Sequence, residues 1–534
     1  MRKTFLLSAL FLGLSSSGSM ALAGVYYVKE GGNGDGTSWE KAAGNIDAMI
    51  EKATAGDEIW IAQGTYKPSK LIKSSKKNSR AFLLKDGVSL YGGFEGKESS
   101  KDERKTIAGK KSYDFVHTTI LSGDDDIADE WVREMMYASS FRYGWKVTDK
   151  DIIPGTENNS NHILYADTEF HSPTTINGLT LKGGNAMVWN VKAAGGAIYA
   201  LGNVQISDCQ IIENCAYYTA DSQSPDTKGG AVYLVGNGDA SIKRCLFAKN
   251  YSHSKQGNGY GGAVYASKVK IEDCEFRDCV ALDGGGAIYN IDGTIENCLF
   301  EDCYASNGGA VVNGGMMKNS KVVNCRGLLG GGISNISGTL SSVVVFNCYA
   351  DTEDFGSENG GKGGGIYNKD GEILGSIVYN NSSFEGGGIY FESGTIQSST
   401  LQNNLSRKEG SHPNIAFVNS LQGENNTEKT IYDAVDASNF VNPSQFIGFT
   451  DDSEKLSELK ETSWALQENS PLKGNGFESA TPTNIKSTEK SGKLIRTTYY
   501  TLSGKATEAT ASGVYIVKRE YDNGSIETSK VLQK

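Results

Sequence analysis

The fold is decided by GGAVYASKVKIEDCEFRDCVALDG at residues 261–284, GGAIYNIDGTIENCLFEDCYASN at 285–307, and the GGAVV that follows at 308–312. These segments are successive copies of one unit that opens on Gly-Gly-[Ala/Gly]-[Ile/Val]. The third position of this opening is, in chain order, Ala197, Ala231, Ala263, Ala287, Ala310, Gly332, Gly365 and Gly388. Self-similarity at a nearly fixed period is the signature of a repeat architecture.

Successive openings are separated by 34, 32, 24, 23, 22, 33 and 23 residues. The basic unit is therefore about 23 residues long, and three units are enlarged by about ten. The added residues fall in the polar runs 219–228, 252–260 and 351–362. Because they are confined to one part of the repeat, we expect them to form loops that project from a regular stack.

Each unit contains short apolar runs separated by Gly or Asn, and none is long enough for a helix of about ten residues. Strands this short cannot bury a face alone, but parallel stacking at about 4.8 Å per coil gives them a shared core. The sequence therefore predicts an all-β solenoid across residues 24–473, with its clearest repeats at 190–405.

The nine cysteines all lie between residues 209 and 348, and their spacing follows the repeat. One column holds Cys209, Cys245, Cys274 and Cys298, and we expect Cys215 to align with Asn250 in a second column that contains Cys279, Cys303, Cys325 and Cys348. Neighbouring coils separate such side chains by about 4.8 Å, beyond the Cβ spacing of a disulfide. The pattern favours buried free thiols over disulfides, and without a CxxC pair or a nearby His it does not favour a metal site.

The repeat resembles that of polymorphic outer membrane proteins, in which Gly-Gly-Ala-Ile-Tyr is followed by Leu-Phe-x-x-Asn. The resemblance covers roughly residues 160–405, and the chain departs from the pattern where Cys replaces the terminal Asn.

The N-terminal region predicts a strand at Val25–Val28, a helix capped by Ser38 that ends near Gly56, and a strand at 58–62. This order is similar to the entrance of pectate-lyase-like proteins, where a helix plugs the first coil. The resemblance implies a right-handed parallel β-helix with an N-terminal capping helix.

Residues 1–23 have the pattern of a secretory signal peptide: Arg2 and Lys3, an apolar run from Phe5 to Leu14, and Ala-Leu-Ala before Gly24. A retained membrane anchor is the alternative, although the apolar run is short for a bilayer span. The net charge of -11 argues against nucleic acid as a partner. We expect no transmembrane anchor in the mature protein.

The C-terminal region consists of a polar linker at 474–490 followed by YYTLSGK, GVYIV and SKVLQK within residues 491–534. These segments resemble the C-terminal sorting domain of the type IX secretion system of Gram-negative bacteria, here as a small β-sandwich-like module. The resemblance implies that the secretion machinery is a partner and that the protein is secreted or displayed at the outer membrane. An ordinary terminal β module is the alternative.

Catalysis has weak candidates in Asp278 and Asp302, which occupy equivalent positions on neighbouring coils, and in Arg277 beside them. Two carboxylates about 5 Å apart suit a retaining glycosidase. In polysaccharide lyases with this fold, an Arg acts as the base. Elsewhere the same columns hold Asn, Lys and Ser, which is typical of turns. No nucleotide loop or catalytic triad spacing is present, so the sequence indicates no cofactor.

A tyrosine column suggests binding instead, because one Tyr follows the Ile or Val of most openings. Strand alternation places these residues on the face opposite to that Ile or Val. If the Ile or Val faces the core, the tyrosines form an outward stripe that could hold sugar rings, or that stabilises the sheet alone. The column comprises Tyr199, Tyr233, Tyr265, Tyr289, Tyr367 and Tyr390.

These features predict an exported surface protein that binds glycans or proteins, in the manner of an adhesin, and leave a secreted polysaccharide lyase or glycoside hydrolase as the alternative. A fold of this type hosts both activities, so the fold does not choose between them.

The sorting hypothesis predicts the behaviour of a chain truncated after residue 490. A sorting signal can be removed without loss of folding, so the truncated protein should be soluble but retained in the periplasm, while the full-length protein leaves the cell. Immunoblots of periplasm and medium test this. Aggregation of the truncated form would indicate a structural cap instead, and normal release would rule out sorting.

Overall fold

The structure is a computed structural model that describes residues 23–138, 140–145, 153–187, 193–218, 226–254, 258–350, 360–418, 427, 429–476, 494–500, 506–507, 513–521 and 526–533. The signal-peptide prediction therefore lies almost wholly outside the described residues, as do most of the linker and the central parts of the three enlarged loops.

Each coil passes through three parallel sheets in a fixed order. The coil that begins at Ile288 contributes Ile288–Glu296 to sheet 1, Leu299–Glu301 to sheet 2, and Tyr304, through bridges to Val280 and Arg326, to sheet 3. Equivalent residues pair in register, for example Phe276 with Phe300. The chain is thus the right-handed parallel β-helix that its repeat and resemblances predicted.

Sheet 1 is the largest, and its nineteen described strands are Val25–Val28, Glu58–Ala62, Phe82–Leu83, Ser89–Phe94, Leu164–Asn177, Ile198–Ser207, Val232–Val235, Ser241–Lys243, Val264–Ser267, Lys270–Glu272, Ile288–Glu296, Val311–Lys318, Ile333–Ile336, Thr339–Ser341, Ile366–Lys369, Gly371–Leu374, Ile389–Phe391, Gly394–Gln397 and Ile415–Phe417. The eleven described strands of sheet 2 are Gly64–Tyr66, Thr119–Ser122, Thr180–Lys182, Gln210–Ile212, Leu246–Ala248, Glu275–Arg277, Leu299–Glu301, Lys321–Val323, Val344–Phe346, Ile377–Tyr379 and Thr400–Gln402.

Sheet 3 is made of two short stacks, Asn185–Met187, Cys215–Tyr218, Tyr251–Ser254 and Val280–Ala281, then Arg326–Gly327, Tyr349–Ala350, Ser382–Ser383 and Leu405–Ser406. A two-stranded ribbon, Thr227–Lys228 with Gly259–Tyr260, lies between sheet 3 and the next sheet 1 strand. The described helices are Ile46–Lys52 and Ser453–Lys460, with 3-10 turns at Lys101–Glu103, Thr156–Asn158 and Ala437–Asn439.

The Gly-Gly opening is required by close backbone packing between coils. Its first glycine has a positive φ, +65° at Gly285, which costs other residues strain. A Cβ built on the second glycine, Gly286, would lie 2.1 Å from the carbonyl oxygen of Gly309 in the next coil. No side chain fits that distance, so both glycines are fixed by the stacking.

The nine thiols are free and buried, as the spacing predicted. Burial raises the pKa of Cys274 and Cys303 well above the ordinary thiol value, which keeps them protonated. The alignment of Cys215 was wrong: Asn214, not Cys215, bonds to Asn250 in the second column. Cys215 instead pairs with Tyr251 in sheet 3. The residue with positive φ in this turn is Glu213, so the column position that follows it is Asn214, as Asn250 follows Lys249 in the next coil.

A further buried column, within sheet 1, is made of amides, and we call it the amide column. The sequence analysis did not identify it. Asn290 donates to Asn313 at 3.0 Å, Asn313 to Asn335 at 2.9 Å, and Asn335 to Asn368 at 2.8 Å. All four lie almost entirely out of contact with water. Asn313, Asn335 and Asn368 both donate and accept, whereas Asn290 at the start of the column only donates and its side-chain oxygen has no partner among the described residues.

The N-terminal helix is shorter than predicted. It spans Ile46–Lys52 and is capped by Asn45, whose side chain accepts the amide of Ala48. Ser38 caps only a turn. The helical spacing of apolar residues before residue 45 was misleading, because the backbone of Ala43 is hydrogen-bonded to that of Tyr27 and Lys29 beside the first strand. The helix packs Ile46, Met49 and Ile50 into the main core, as expected of a cap.

Segments outside the coils cover parts of the β-helix. The segment at 124–161 lies between coils and contains a hairpin, Arg133–Ala138 with Ser140–Trp145, and its Ile153 packs in the cluster around Tyr217 and Tyr251. Residues 429–476 fold back over the outer face of sheet 2, where Trp464 and Phe440 cover Phe346 and Tyr379. That segment includes the strand pair Phe440–Asn442 and Ser463–Leu466.

The C-terminal segment is a β module, although its described strands form a single sheet and not the β-sandwich-like arrangement that the resemblance implied. Its described strands, Leu494–Tyr500, Ala506–Thr507, Gly513–Tyr521 and Ile526–Gln533, make one antiparallel sheet.

The amide column predicts a stability effect. Asn313→Leu would remove the partner of one N–H of the buried Asn290 side chain, which keeps its bond to the Gly293 carbonyl, and the partner of the Asn335 side-chain oxygen, at about 1–3 kcal/mol for each group. We expect the free energy of unfolding, measured with urea, to fall by roughly 2–5 kcal/mol. The exposed Asn237→Ala should change it by less than about 0.5 kcal/mol. Equal stability of the two variants would show that the column is not structurally important.

Candidate functional site

The tyrosine column extends over consecutive coils of sheet 1. Tyr165 pairs with Tyr199, which pairs with Tyr233, and the register continues through Tyr265 to Tyr289. The ring centroids of successive members are 5.3, 4.9, 5.4 and 5.5 Å apart. We call these five residues the tyrosine ladder. The sequence analysis missed Tyr165, because no Gly-Gly opening precedes it.

The column is interrupted after Tyr289. Val312 and Ser334 occupy the next two positions in register, followed by Tyr367 and Tyr390, whose rings are 5.7 Å apart. The six tyrosines predicted from the sequence thus form two separate stacks of four and two.

The predicted orientation is confirmed for this column, since Ile198, Val232 and their equivalents lie in the main core and the tyrosines lie outside it. Uniform exposure, however, is not observed. Tyr199 is only 2% exposed because it packs with Ala81, Tyr165 and Ala194, and Tyr390 is 8% exposed. Tyr233, Tyr265, Tyr289 and Tyr367 are partly exposed.

The rings lie nearly parallel, with interplanar angles of 7°, 11° and 7° between Tyr199 and Tyr289. Each interior ring therefore has neighbouring rings on both faces, and the ladder presents ring edges and hydroxyls. An in-register column uses the ring faces for its own contacts, so a sugar ring would meet the edges of the interior tyrosines. A tyrosine hydroxyl can both donate and accept hydrogen bonds.

Charged side chains border both the ladder and the separate pair Tyr367 and Tyr390. Lys228 Nζ lies 5.2 Å from the ring centroid of Tyr265, and Lys362 Nζ lies 3.1 Å from the hydroxyl of Tyr390. Tyr367 donates a hydrogen bond to Glu392, which also pairs with Lys369. Both lysines beside the rings come from the residues that immediately precede a Gly-Gly opening.

The pKa of Tyr165 and of Tyr199 is raised to about 12, by burial first and by Asp167 second. Burial and neighbouring tyrosines also raise the pKa of Tyr265 to about 12. These hydroxyls therefore stay protonated at neutral pH and are able both to donate and to accept hydrogen bonds.

The catalytic candidates lie in a different part of the coil. Asp278 and Asp302 occupy the turn between sheets 2 and 3 with φ of 52° and 58°, and the equivalents in later coils, Asn324 and Asn347, also have positive φ. Asp and Asn tolerate this conformation better than other non-glycine residues. Asn324 donates to Asp302, and Asn347 donates to Asn324 at 3.1 Å. This geometry favours the turn interpretation.

Arg277 is held by an ion pair with Glu275 at 2.8 Å, and Glu275 also binds Lys111 at 2.6 Å. Glu272 and Glu296 lie in register on neighbouring coils. Their carboxylates are likewise neutralised, by Lys270 and Lys318 respectively. In the described residues no group of three or more His, Cys, Asp or Glu side chains is arranged to hold a metal ion. None of the described helices is long and apolar enough to span a bilayer.

Comparisons with known proteins recover related architectures at low similarity. The crystal structure of pectate lyase Pel9A aligns with 11% identity and a TM-score of 0.25, over 87% of this chain and 94% of that one. The polygalacturonase from Erwinia carotovora ssp. carotovora aligns with 11% identity and a TM-score of 0.21, over 67% and 93%. No protein-family model and no curated protein matches the chain. These similarities are too weak to transfer an activity or a site residue.

The raised pKa values predict an alkaline transition. Between pH 10 and about 12 the unfolded chain has lost tyrosine protons that Tyr165, Tyr199 and Tyr265 retain in the folded protein. Their contribution to the free energy of unfolding is therefore complete below pH 10 and is lost as the pH rises towards 12. Absorbance at 295 nm should show a late group of tyrosines in the native protein and a single step near pH 10 in guanidinium chloride. Tyr265→Phe should remove one member of the late group. A single native step would contradict the burial of the ladder.

Proposed function

We propose that this protein is an exported, non-catalytic binding protein whose ligand is an extended polysaccharide lying along the tyrosine ladder. The observation that carries the proposal is the regular row of protonated hydroxyls on the outer face of sheet 1, at one per coil. A ligand that uses equally spaced, identical groups must itself be an extended polymer aligned with the β-helix axis.

The chemistry of the row supports a hydroxyl-rich ligand. A phenol hydroxyl both donates and accepts one or more hydrogen bonds, which matches the hydroxyls of sugar chains. The partial exposure of Tyr233, Tyr265 and Tyr289 leaves this part of the ladder accessible at its edges. Lys228 adds a charge-assisted donor at the rim.

The polysaccharide lyase or glycoside hydrolase is the alternative. Against it stand the turn geometry of Asp278 and Asp302 and the ion pair that engages Arg277. The signal peptide and the sorting-domain resemblance support a cell-surface or secreted location in a Gram-negative bacterium, with the type IX secretion machinery as a partner. A protein ligand, as for an adhesin, would also use an exposed face of the solenoid.

A glycan array with the purified protein identifies the ligand, and calorimetry then tests two double variants. Tyr233→Phe/Tyr265→Phe keeps the ring stack and removes two hydroxyls, so we expect affinity to fall about tenfold, from roughly 0.5–1.5 kcal/mol per lost hydrogen bond. Tyr233→Ala/Tyr265→Ala should abolish binding. Tyr91→Phe, on the same sheet beneath Lys101, is the matched control and should bind normally.

Three outcomes would contradict the proposal. Unchanged affinity of the double Phe variant would show that the hydroxyls have no role. Binding only to proteins would replace the glycan with a protein ligand. Release of reducing or unsaturated ends from a polysaccharide panel, lost in Asp278→Asn or Asp302→Asn, would establish the enzyme alternative.

A further inference from the structure

The loop between Gly64–Tyr66, the first strand of sheet 2, and Phe82–Leu83 of sheet 1 is strongly basic. Residues 67–81 read KPSKLIKSSKKNSRA, with six Lys or Arg and no Asp or Glu, in a chain whose net charge is -11. The part from Lys70 to Ala81 folds as a hairpin, which we call the basic hairpin. A concentrated positive charge on an acidic protein attracts anions selectively to one place.

The hairpin has a defined conformation. Ile72 donates to the carbonyl of Ser79 at 2.7 Å, and Ala81 donates to that of Lys70 at 3.0 Å. The hydroxyl of Ser79 is fully buried within the turn, where it contacts the carbonyls of Lys73 and Lys76 at 2.7 and 2.8 Å. The cationic side chains are thus carried on a fixed backbone.

Much of this charge is not neutralised by the chain itself. Lys67 pairs with Asp126 and Lys70 with Glu51, each at 2.5 Å. Among the described residues, no carboxylate lies within ion-pair distance of Lys73, Lys77 or Arg80. These three cations are free to meet an external anion.

The basic hairpin is joined to the start of the ladder. The amide of His162 donates to the carbonyl of Arg80 at 3.4 Å, three residues before Tyr165. Ile72 packs against the cluster that contains Tyr165 and Tyr199. Ile72 and Ala81 of the hairpin cover Tyr165 and Tyr199, so a polymer on the partly exposed Tyr233, Tyr265 and Tyr289 would meet the hairpin at the covered end of the ladder.

Cations recur further along the same column. Lys228 lies over the ring of Tyr265, and Lys362 contacts the hydroxyl of Tyr390. Neither lysine has an ion pair within 4.0 Å among the described residues, although Lys362 lies near enough to Glu392 to interact with it electrostatically. The nearby Asp226 accepts two hydrogen bonds from Asn258 at 3.0 Å. Positive charge is thus available at three places along one line.

We infer that the ligand of the tyrosine ladder is an anionic polysaccharide, whose carboxylate or sulfate groups bind Lys73, Lys77 and Arg80 of the basic hairpin while its hydroxyls bind the ladder. This inference rests on the proposed function and assigns the ligand class and the end of the site that recognises charge.

Calorimetry with dextran sulfate and with neutral dextran of equal length tests the inference on the full chain. We expect dextran sulfate to bind at least tenfold more tightly, and the difference to shrink as NaCl is raised from about 50 to 300 mM, because salt screens exposed charges. Hyaluronan as a third ligand separates carboxylate from sulfate recognition. Lys73→Gln/Lys77→Gln should lose about tenfold in affinity for the anionic ligand and none for dextran.

Lys105→Gln/Lys110→Gln is the matched control, since it removes the same charge from an exposed loop elsewhere and should bind normally. Equal binding of dextran and dextran sulfate would overturn the inference while leaving the ladder proposal standing. Loss of sulfate binding in the hairpin variant but not in Tyr233→Phe/Tyr265→Phe would instead overturn the ladder proposal. Equally tight binding of a single-stranded oligonucleotide would overturn the inference by showing recognition of charge alone.

Discussion

In-register parallel pairing at one coil spacing is the constraint on which the rest of the structure depends. Each side chain lies about 4.8 Å from its equivalent in the coil before and the coil after, so every position must tolerate a neighbour at the same place. The chain meets this requirement in several ways. Phenylalanines stack in the core at 4.8 and 4.9 Å, amides form donor–acceptor rows, and thiols line up as small apolar groups. Where the like charges Glu272 and Glu296 lie in register, Lys270 and Lys318 neutralise them.

The period of the repeat was enough to predict the fold, because Gly-Gly is needed wherever backbones of adjacent coils approach closely. It also placed the thiols, apart from Cys215. That one-residue error arose because an αL residue at position 213 takes up part of the turn, and Glu, Lys, Asp and Asn all fill that role in different coils. The helix boundary failed for a related reason: Ala43 is held by backbone bonds to the first strand, a long-range contact that helical spacing does not reveal.

The candidate site was predicted in part. Alternation along the strand correctly placed the tyrosines outside the core, but the orientation of the rings depends on the neighbouring coils and was not visible in one unit. Residues 70–81 contact Tyr165 and Tyr199, which lie about a hundred residues further along the chain. The sequence therefore contains the basic segment but does not show that it lies beside the ladder. Asp278 and Asp302 illustrate the opposite case, because their equivalent positions in the repeat are those of turn residues with positive φ.

The ladder has one ring per coil, so its length is a whole number of coil spacings. Its length changes only in whole steps, because inserting or deleting one unit of about 23 residues adds or removes a single rung without disturbing the rest of the stack. Gain or loss of whole units would therefore change the length of the ladder while conserving its chemistry. The pair Tyr367 and Tyr390 is separated from the ladder by Val312 and Ser334, so the column now consists of two segments.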